Sequence, residues 1–378
     1  MSEPLRIAVL GAGGLGKAAC RIIGMKRELR MVAICDSRGV LHDPSGLPGE
    51  SIANYDRDLV AGYEAAHDMQ AEEGGGVAPP PADAVKDGGF VKPAALWAAS
   101  AGGGVATATR TSTVVEATAD GIGRIVEWAS AGTIDGVLLA LPNLPNDFLP
   151  GVVRRFFDAG CSVAVTDALK RTQAMELTLQ LDPLAKHARA VYLTGCGATP
   201  GLLTAAAVLA AQSFITVEHV DIFWGVGIAN WEAHNATIRE DIAHLPGFTI
   251  EQAQAMTDAQ IEALLDQTNG ILRLQQMEHA DDVLLQRAGV VEHREQVTVG
   301  GVMDTRHAKK PVSTTMTLTG TTFEGRRASH RFILGDETSM AANVIGPALG
   351  YLKRAHWLQR HGIFGVFGST EFMPMVVK

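Results

Sequence analysis

The residues best suited to chemistry lie at the end of the apolar run "CSVAVTDALKRT", residues 161–172, where Lys170 stands three positions after Asp167. A lysine just past a strand end, partly buried and close to a carboxylate, can hold or release a proton at a pKa set by those neighbours. Lys170 is thus the first candidate proton donor, with Asp167 as the carboxylate that tunes it. A second group gathers in "WGVGIANWEAHNATIRED", residues 224–241, which brings Trp224, Glu232, His234, Asn235 and Arg239 together after another apolar run. His234 is the better histidine candidate for acid–base work, and Trp224 and Glu232 suit a substrate wall. If the substrate carries a carboxylate, a guanidinium should clamp it in bidentate fashion, and Arg171, Arg239 and Arg273 are available for this. His330, on the alternating face of Phe332 and Leu334, reads as a hydrogen-bonded core histidine. Glu232 and His234 stand two apart with no further ligands nearby, so no metal site is expected.

The stretch "IAVLGAGGLGKAACRI", residues 7–22, carries a different chemistry. An apolar run leads into Gly11-x-Gly13-x-x-Gly16 and then into a helix-compatible segment, and a second run, "MVAICD", ends in Asp36, 20 residues after Gly16. The first glycine permits a sharp turn, the second lets backbone approach a pyrophosphate, and the third lets helix and strand pack closely. The helix N-terminus offers free N–H groups to phosphate. This spacing predicts a dinucleotide site with Gly11, Gly13, Gly14, Leu15 and Gly16 on the phosphates and Asp36, Ser37 and Arg38 around the ribose. A carboxylate at position 36 favours NAD(H), and Arg38 two residues on leaves NADP(H) as the second reading.

These residues need a frame. The runs "TSTVVEAT" (111–118), "DGVLLAL" (135–141), "CSVAVTD" (161–167) and "AVYLTG" (190–195) alternate with helical stretches, which predicts an α/β fold with a Rossmann doubly wound parallel sheet over residues 1–213. Ligands of such sheets bind beyond the carboxyl ends of the strands, so Ala117, Thr118, Leu141, Pro142, Asn143, Ala198 and Pro200 are further cofactor-binding candidates. Residues 71–104, rich in Gly and Pro, read as a flexible insertion. After residue 213 the texture becomes strand-like alternation, predicting a second, α+β domain over 214–338 with a mostly antiparallel sheet. It includes a helical insertion over roughly 231–288, in which Thr249 and Gln252, then Thr257 and Gln260, have capping-box spacing. Residues 339–378 look helical on both sides of Pro347 and are expected to return to the first domain.

The 378 residues carry a formal net charge of −9, with basic residues scattered, which argues against a nucleic-acid partner. No apolar stretch has membrane-span length. Four dispersed cysteines and the lack of a leader-like start point to a reducing, cytoplasmic setting. A small-molecule substrate and a homodimeric assembly are the remaining expectations.

With these residues laid out, the chain resembles the saccharopine dehydrogenase-like group of NAD(P)-dependent oxidoreductases. The resemblance rests on "GAGGLGKA" with Asp36, on "VVEATADG", and on "TGCGATPGLLTAAA" after the last parallel strand, and it covers about residues 5–213. It implies an NAD(P)(H)-dependent dehydrogenase or reductase acting on an amino acid, imine or 2-oxo acid. A looser similarity ties "AGCSVAVTDALKRT" to the strand end of homoserine dehydrogenases that carries an active-site lysine, with one extra residue here. That similarity implies an alcohol or aldehyde oxidoreductase instead. A dinucleotide-binding sensor without turnover is the alternative from another class.

Overall fold

The computed structural model describes residues 3–55, 58–73, 113–143, 145–228, 231–232, 235–336 and 338–378. Its strands are β1 (Leu5–Leu10), β2 (Leu29–Cys35), β3 (Gly39–His42), β4 (Val114–Ala117), β5 (Gly136–Leu139), β6 (Ala164–Asp167), β7 (Val191–Thr194), β8 (Phe214–Gly227), β9 (Ile271–Leu274), β10 (Val297–Asp304), β11 (Thr314–Thr322), β12 (Arg327–Leu334) and β13 (Gly365–Gly368). They form an eight-stranded sheet in the order β13-β7-β6-β5-β1-β2-β3-β4 and a five-stranded sheet in the order β12-β11-β8-β10-β9.

The strands at the centre of the first sheet are almost wholly apolar because helices cover both of its faces. Helices Gly121–Ser130 and Phe148–Asp158 bury Ile125, Val153 and Phe156 against one face. Helices Gly14–Gly24 and Met340–Arg360 bury Ile23, Leu349 and Leu352 against the other. The six strands from β13 to β2 run parallel. They form the expected doubly wound parallel sheet, to which β3 and β4 add an antiparallel edge, since β3 pairs antiparallel with both β2 and β4. The physical reason is the short connection: the turn from Asp36 to Gly39 is too tight for a crossover helix, so the chain must double back.

Three features of the second half differ from expectation or confirm it. The helical insertion contains a strand, β9, which pairs antiparallel with β10. Both capping boxes form, with the Thr249 and Thr257 hydroxyls accepting from the backbone N–H of Gln252 and Gln260. Thr257→Ala should therefore cost about 1 kcal/mol, read as a lowered denaturation midpoint; an unchanged midpoint would remove the cap from this account. The second sheet is mostly antiparallel, with β8 and β10 as its parallel pair.

The C-terminal segment packs against the first sheet as one helix with Pro347 inside it. Its last strand, β13, was not expected: "GVFG" is four residues with a glycine at each end and shows no period. The expected insertion at 71–104 lies outside the described residues except for its first three, which end helix Leu59–Glu73. Among the described residues no helix is long and apolar enough to cross a membrane.

Candidate active site

The turn after β6, the turn after β7, the second sheet and the start of helix Met340–Arg360 enclose a cavity of about 140 Å³. Its apolar wall includes Trp224, Met277, Met303, Leu334 and Val344. Its polar wall includes Lys170, Thr199, Asp241, His279, Lys310 and Asn343. Close backbone approach shapes the wall at two points. A Cβ on Gly301 would stand 2.1 Å from the Trp224 ring, so glycine there lets the indole lie flat on β10. A Cβ on Gly201, at φ +130°, would stand 2.0 Å from the Gly197 carbonyl oxygen, so the "GATPG" turn closes tightly on itself.

Lys170 is the sequence-predicted catalytic residue that this cavity contains. Its Nζ lies 3.2 Å from Asp241 Oδ1 and 3.3 Å from Glu240 Oε2, and its side chain is 21% exposed. Burial alone would push its pKa down, but the two carboxylates more than reverse that and hold the ammonium well above its ordinary value. The Asp241 carboxyl is pushed up by burial, with the Glu240 charge adding to it; Lys170 and His279 pull it back only in part. Glu240 Oε1 is buried without a hydrogen-bond partner.

A second layer of charge stands behind Lys170. Arg171 is buried, with one nitrogen 2.8 Å from Glu278 Oε2 and another donating to His244 Nε2 at 2.9 Å. Burial, then the charges of Arg171, Lys170 and His279, lower His244 to about 4, so it is a neutral acceptor at neutral pH. On the cavity wall, His279 Nδ1 lies 2.5 Å from Asp281 Oδ2. Asp281 is fully buried and accepts the Thr199 hydroxyl at 2.9 and 2.8 Å.

The structure places the other expected residues as follows. Asp167 does not reach the cavity: it is fully buried and receives Leu169 N at 3.0 Å, Gly195 N at 2.7 Å, Thr194 Oγ1 at 2.8 Å and the Tyr192 hydroxyl. It ties together the turns after β6 and β7. Arg239 does not clamp a ligand either, since its guanidinium is spent on Asn235, Asp258 and the last carbonyls of helix Ile250–Ala255. Glu232 is exposed and Arg273 lies on β9, outside the cavity. His330 is exposed on β12 with its ring edge-on to Phe214, so the core reading fails because β12 is an edge strand. His234 lies outside the described residues. Trp224 and Ala198 line the cavity, and Pro200 follows a cis peptide in the adjoining turn.

The glycine turn is built as expected: Gly13 precedes helix Gly14–Gly24, and a Cβ on Gly16 would lie 1.9 Å from the Gly11 carbonyl oxygen. Leu15 packs against the adjoining core. The acid assigned to the ribose is engaged elsewhere. Asp36 Oδ1 accepts from the N–H groups of Arg38 and Gly39 at 2.8 and 2.9 Å, and its Oδ2 accepts from Leu59 N at 2.8 Å. Ser37 lies within that turn, and Arg38 pairs with Asp58 at 3.1 Å. Asp36→Ala should cost about 1–2 kcal/mol by orphaning these donors, measured by denaturant unfolding; no loss would argue that the carboxylate is not structural. Thr118 Oγ1 accepts from Asp120 N in the turn after β4, beside Ala117, and Leu141, Pro142 and Asn143 follow β5.

No family model matches the chain. A curated protein of Haloferax mediterranei, (S)-8-amino-7-oxononanoate synthase BioU, is 43% identical over 375 residues, covering 98% of this chain and 99% of that protein. The chain belongs to the BioU family. That membership corrects the saccharopine dehydrogenase-like resemblance, the homoserine-type alternative and the dehydrogenase activity inferred from them, because the family is named for a synthase. The NAD(H)-first, NADP(H)-second assignment, read from the glycine turn and Asp36, is corrected with them by the family's name, and the structure engages the Asp36 carboxylate with backbone N–H groups. The fold of this BioU-family chain is shared more widely. A DAP dehydrogenase of C. glutamicum in complex with DAP matches with a TM-score of 0.51 at 14% identity, covering 98% of this chain and 94% of that one. An engineered D-amino acid dehydrogenase bound to NADP+ matches at 0.50 and 14%, covering 97% and 94%. At such identity the likeness is one of fold alone.

Sequence reasoning missed Glu240, Asp241, His279, Asp281, Thr199 and Lys310. The pairs Glu240-Asp241 and His279-x-Asp281 were visible as charged clusters, but no local pattern separates a cavity wall from a solvated turn.

Proposed function

We propose that this chain is a synthase whose chemistry centres on an α-amino ketone carrying a long-chain carboxylate, the kind of molecule that (S)-8-amino-7-oxononanoate is. The observation that carries this reading is the near-full-length relationship to BioU, together with a cavity whose polar and apolar walls suit such an amphiphile. In this reading the alkyl chain lies against Met277, Met303 and Trp224. Lys310, whose Nζ also donates to the Gly335 carbonyl at 3.0 Å, offers a cation to the carboxylate. Lys170 presents a permanently charged donor to the carbonyl oxygen, a placement that stabilises negative charge where it develops. Asp241 holds that donor in position and faces the substrate amine.

Residues 1–213 and 339–378 supply one side of this site and 214–338 the other, which keeps the two-domain division as part of the proposal. A homodimer in a cytoplasmic setting completes it; the four free, buried cysteines suit a reducing compartment. The test is to incubate purified protein with (S)-8-amino-7-oxononanoate and cell extract metabolites and to follow the compound's formation and consumption by mass spectrometry. Enzyme-dependent change that Lys170→Met abolishes supports the reading; no change in either direction, with no saturable binding, overturns it.

A further inference from the structure

Of the four sheet edges among the described residues, three (β4, β9 and β13) are strands of four residues each, too short to offer much to another chain. The fourth, β12, is eight residues long, pairs with β11 without a register shift, and carries neither proline nor lysine. Every residue from Arg327 to Ile333 is exposed, on both faces of the strand. Phe332, which lies opposite the core residue Met316, is 39% exposed on the helix-covered face, and Ile333 is 55% exposed on the other.

The hairpin determines which backbone groups of this edge are left over. Thr322 N donates to the Arg326 carbonyl, so by the alternation of an antiparallel ladder Ala328, His330 and Phe332 turn their N–H and C=O groups toward β11. Those of Arg327, Ser329, Arg331 and Ile333 point away from the sheet. Such a row is a template for one more strand.

We propose that two copies of the chain join at this edge: β12 of one copy pairs antiparallel with β12 of the other about a two-fold axis at His330, and the two five-stranded sheets become continuous. The occupant is a second copy because the strand is complementary to itself. With the axis at His330, Ala328 lies opposite the partner's Phe332, Ser329 opposite the partner's Arg331, and Ile333 along the stem of the partner's Arg327. Only this axis pairs all four outward-pointing residues within the strand. Moving it to Ser329 sets Arg327 opposite Arg331, and moving it to Arg331 sets two copies of that arginine face to face, each a like-charge pair. The join also borders the cavity, since Leu334 at the end of β12 lines it and the Gly335 carbonyl that follows accepts Lys310 Nζ at 3.0 Å. This gives the homodimer proposed above a surface and rests on nothing else in that functional reading.

The test uses the full chain. Sedimentation velocity over a micromolar concentration series should show a dimer. Ser329→Pro removes an N–H that a lone protomer leaves unpaired, so the circular dichroism spectrum should be unchanged while the dimer dissociation constant rises by about tenfold or more. Ile333→Lys, which sets a second cation against the partner's Arg327, should weaken the dimer in the same way and serves if Ser329→Pro does not fold. His330→Cys reads the register, because the four native cysteines are buried. Mild oxidation should link two copies through position 330, whereas Phe323→Cys, exposed in the hairpin turn, should stay unlinked. A monomer at every concentration overturns this proposal together with the homodimer named above. A dimer whose dissociation constant neither substitution moves, or in which His330→Cys forms no cross-link, overturns the β12 edge alone.

Discussion

Lys170→Met is expected to abolish turnover and to cost the chain about 3–5 kcal/mol of stability. The two losses have one cause. Lys170 is the shared partner of Glu240 and Asp241, both nearly buried, and removing it leaves two like charges facing each other in a water-poor site. The pH dependence gives the effect a signature. Because the folded pKa of Lys170 is raised, the ammonium's contribution is fully present below the ordinary lysine value of about 10.4 and is lost only as pH rises through the higher folded value. In the variant, the Asp241 carboxyl, pushed up by burial, has lost its cationic partner, so the variant recovers stability as pH falls toward its protonation. Denaturant unfolding across pH should thus show a gap between wild type and variant that is widest near neutrality and narrows on both sides. Lys170→Arg should restore much of the stability, since the charge remains, but not the turnover, since the guanidinium cannot occupy the same point. A gap under about 0.5 kcal/mol, the range of ordinary surface substitutions, would show that the pair is not the buried cluster described.

Asp167→Ala is expected to cost a similar amount, about 3–5 kcal/mol, for a different reason. Four donors converge on this carboxylate, and two of them, the N–H groups of Leu169 and Gly195, belong to backbone that cannot turn away. Asp167→Asn should cost only about 1 kcal/mol. Its carbonyl oxygen can still take the two N–H groups, and the hydroxyls of Tyr192 and Thr194 can rotate to accept from its amide. Burial raises the Asp167 pKa against the pull of these donors, so the wild type loses part of its stability as pH rises through that folded value. The Asn variant has no such dependence. Equal losses in the Ala and Asn variants would contradict the donor count on which this rests.

How much of this was legible beforehand follows from how local each feature is. The glycine turn, the alternating strands and helices, and the Thr–Gln caps at 249–252 and 257–260 are set by residues within a few positions of one another, and they formed as expected. Lys170 was legible because a strand end places it. Its partner Asp241 was not, since it lies 71 residues further along the chain on another element. Asp167 was misassigned to catalysis because a strand-end acid looks the same whether it faces a cleft or closes two turns. Asp36 was misassigned for a related reason: a short acidic side chain one turn after a strand is also well placed to bind its own backbone. The family was misread because the motifs that suggested it, "GAGGLGKA" and "TGCGATPG", do structural work common to the fold, in close helix packing and a tight turn. Such features report architecture and leave the chemistry to the side chains that the architecture brings together.

The measurement that bears most directly on the central claim is a crystal structure of the full chain with (S)-8-amino-7-oxononanoate. The compound is expected in the cavity between Trp224, Met277 and Met303, with its carbonyl oxygen within hydrogen-bond reach of Lys170 Nζ and its carboxylate toward Lys310. A complex in which the compound binds elsewhere, or in which Lys170 stays paired only to Glu240 and Asp241 with no ligand atom near it, would contradict the account.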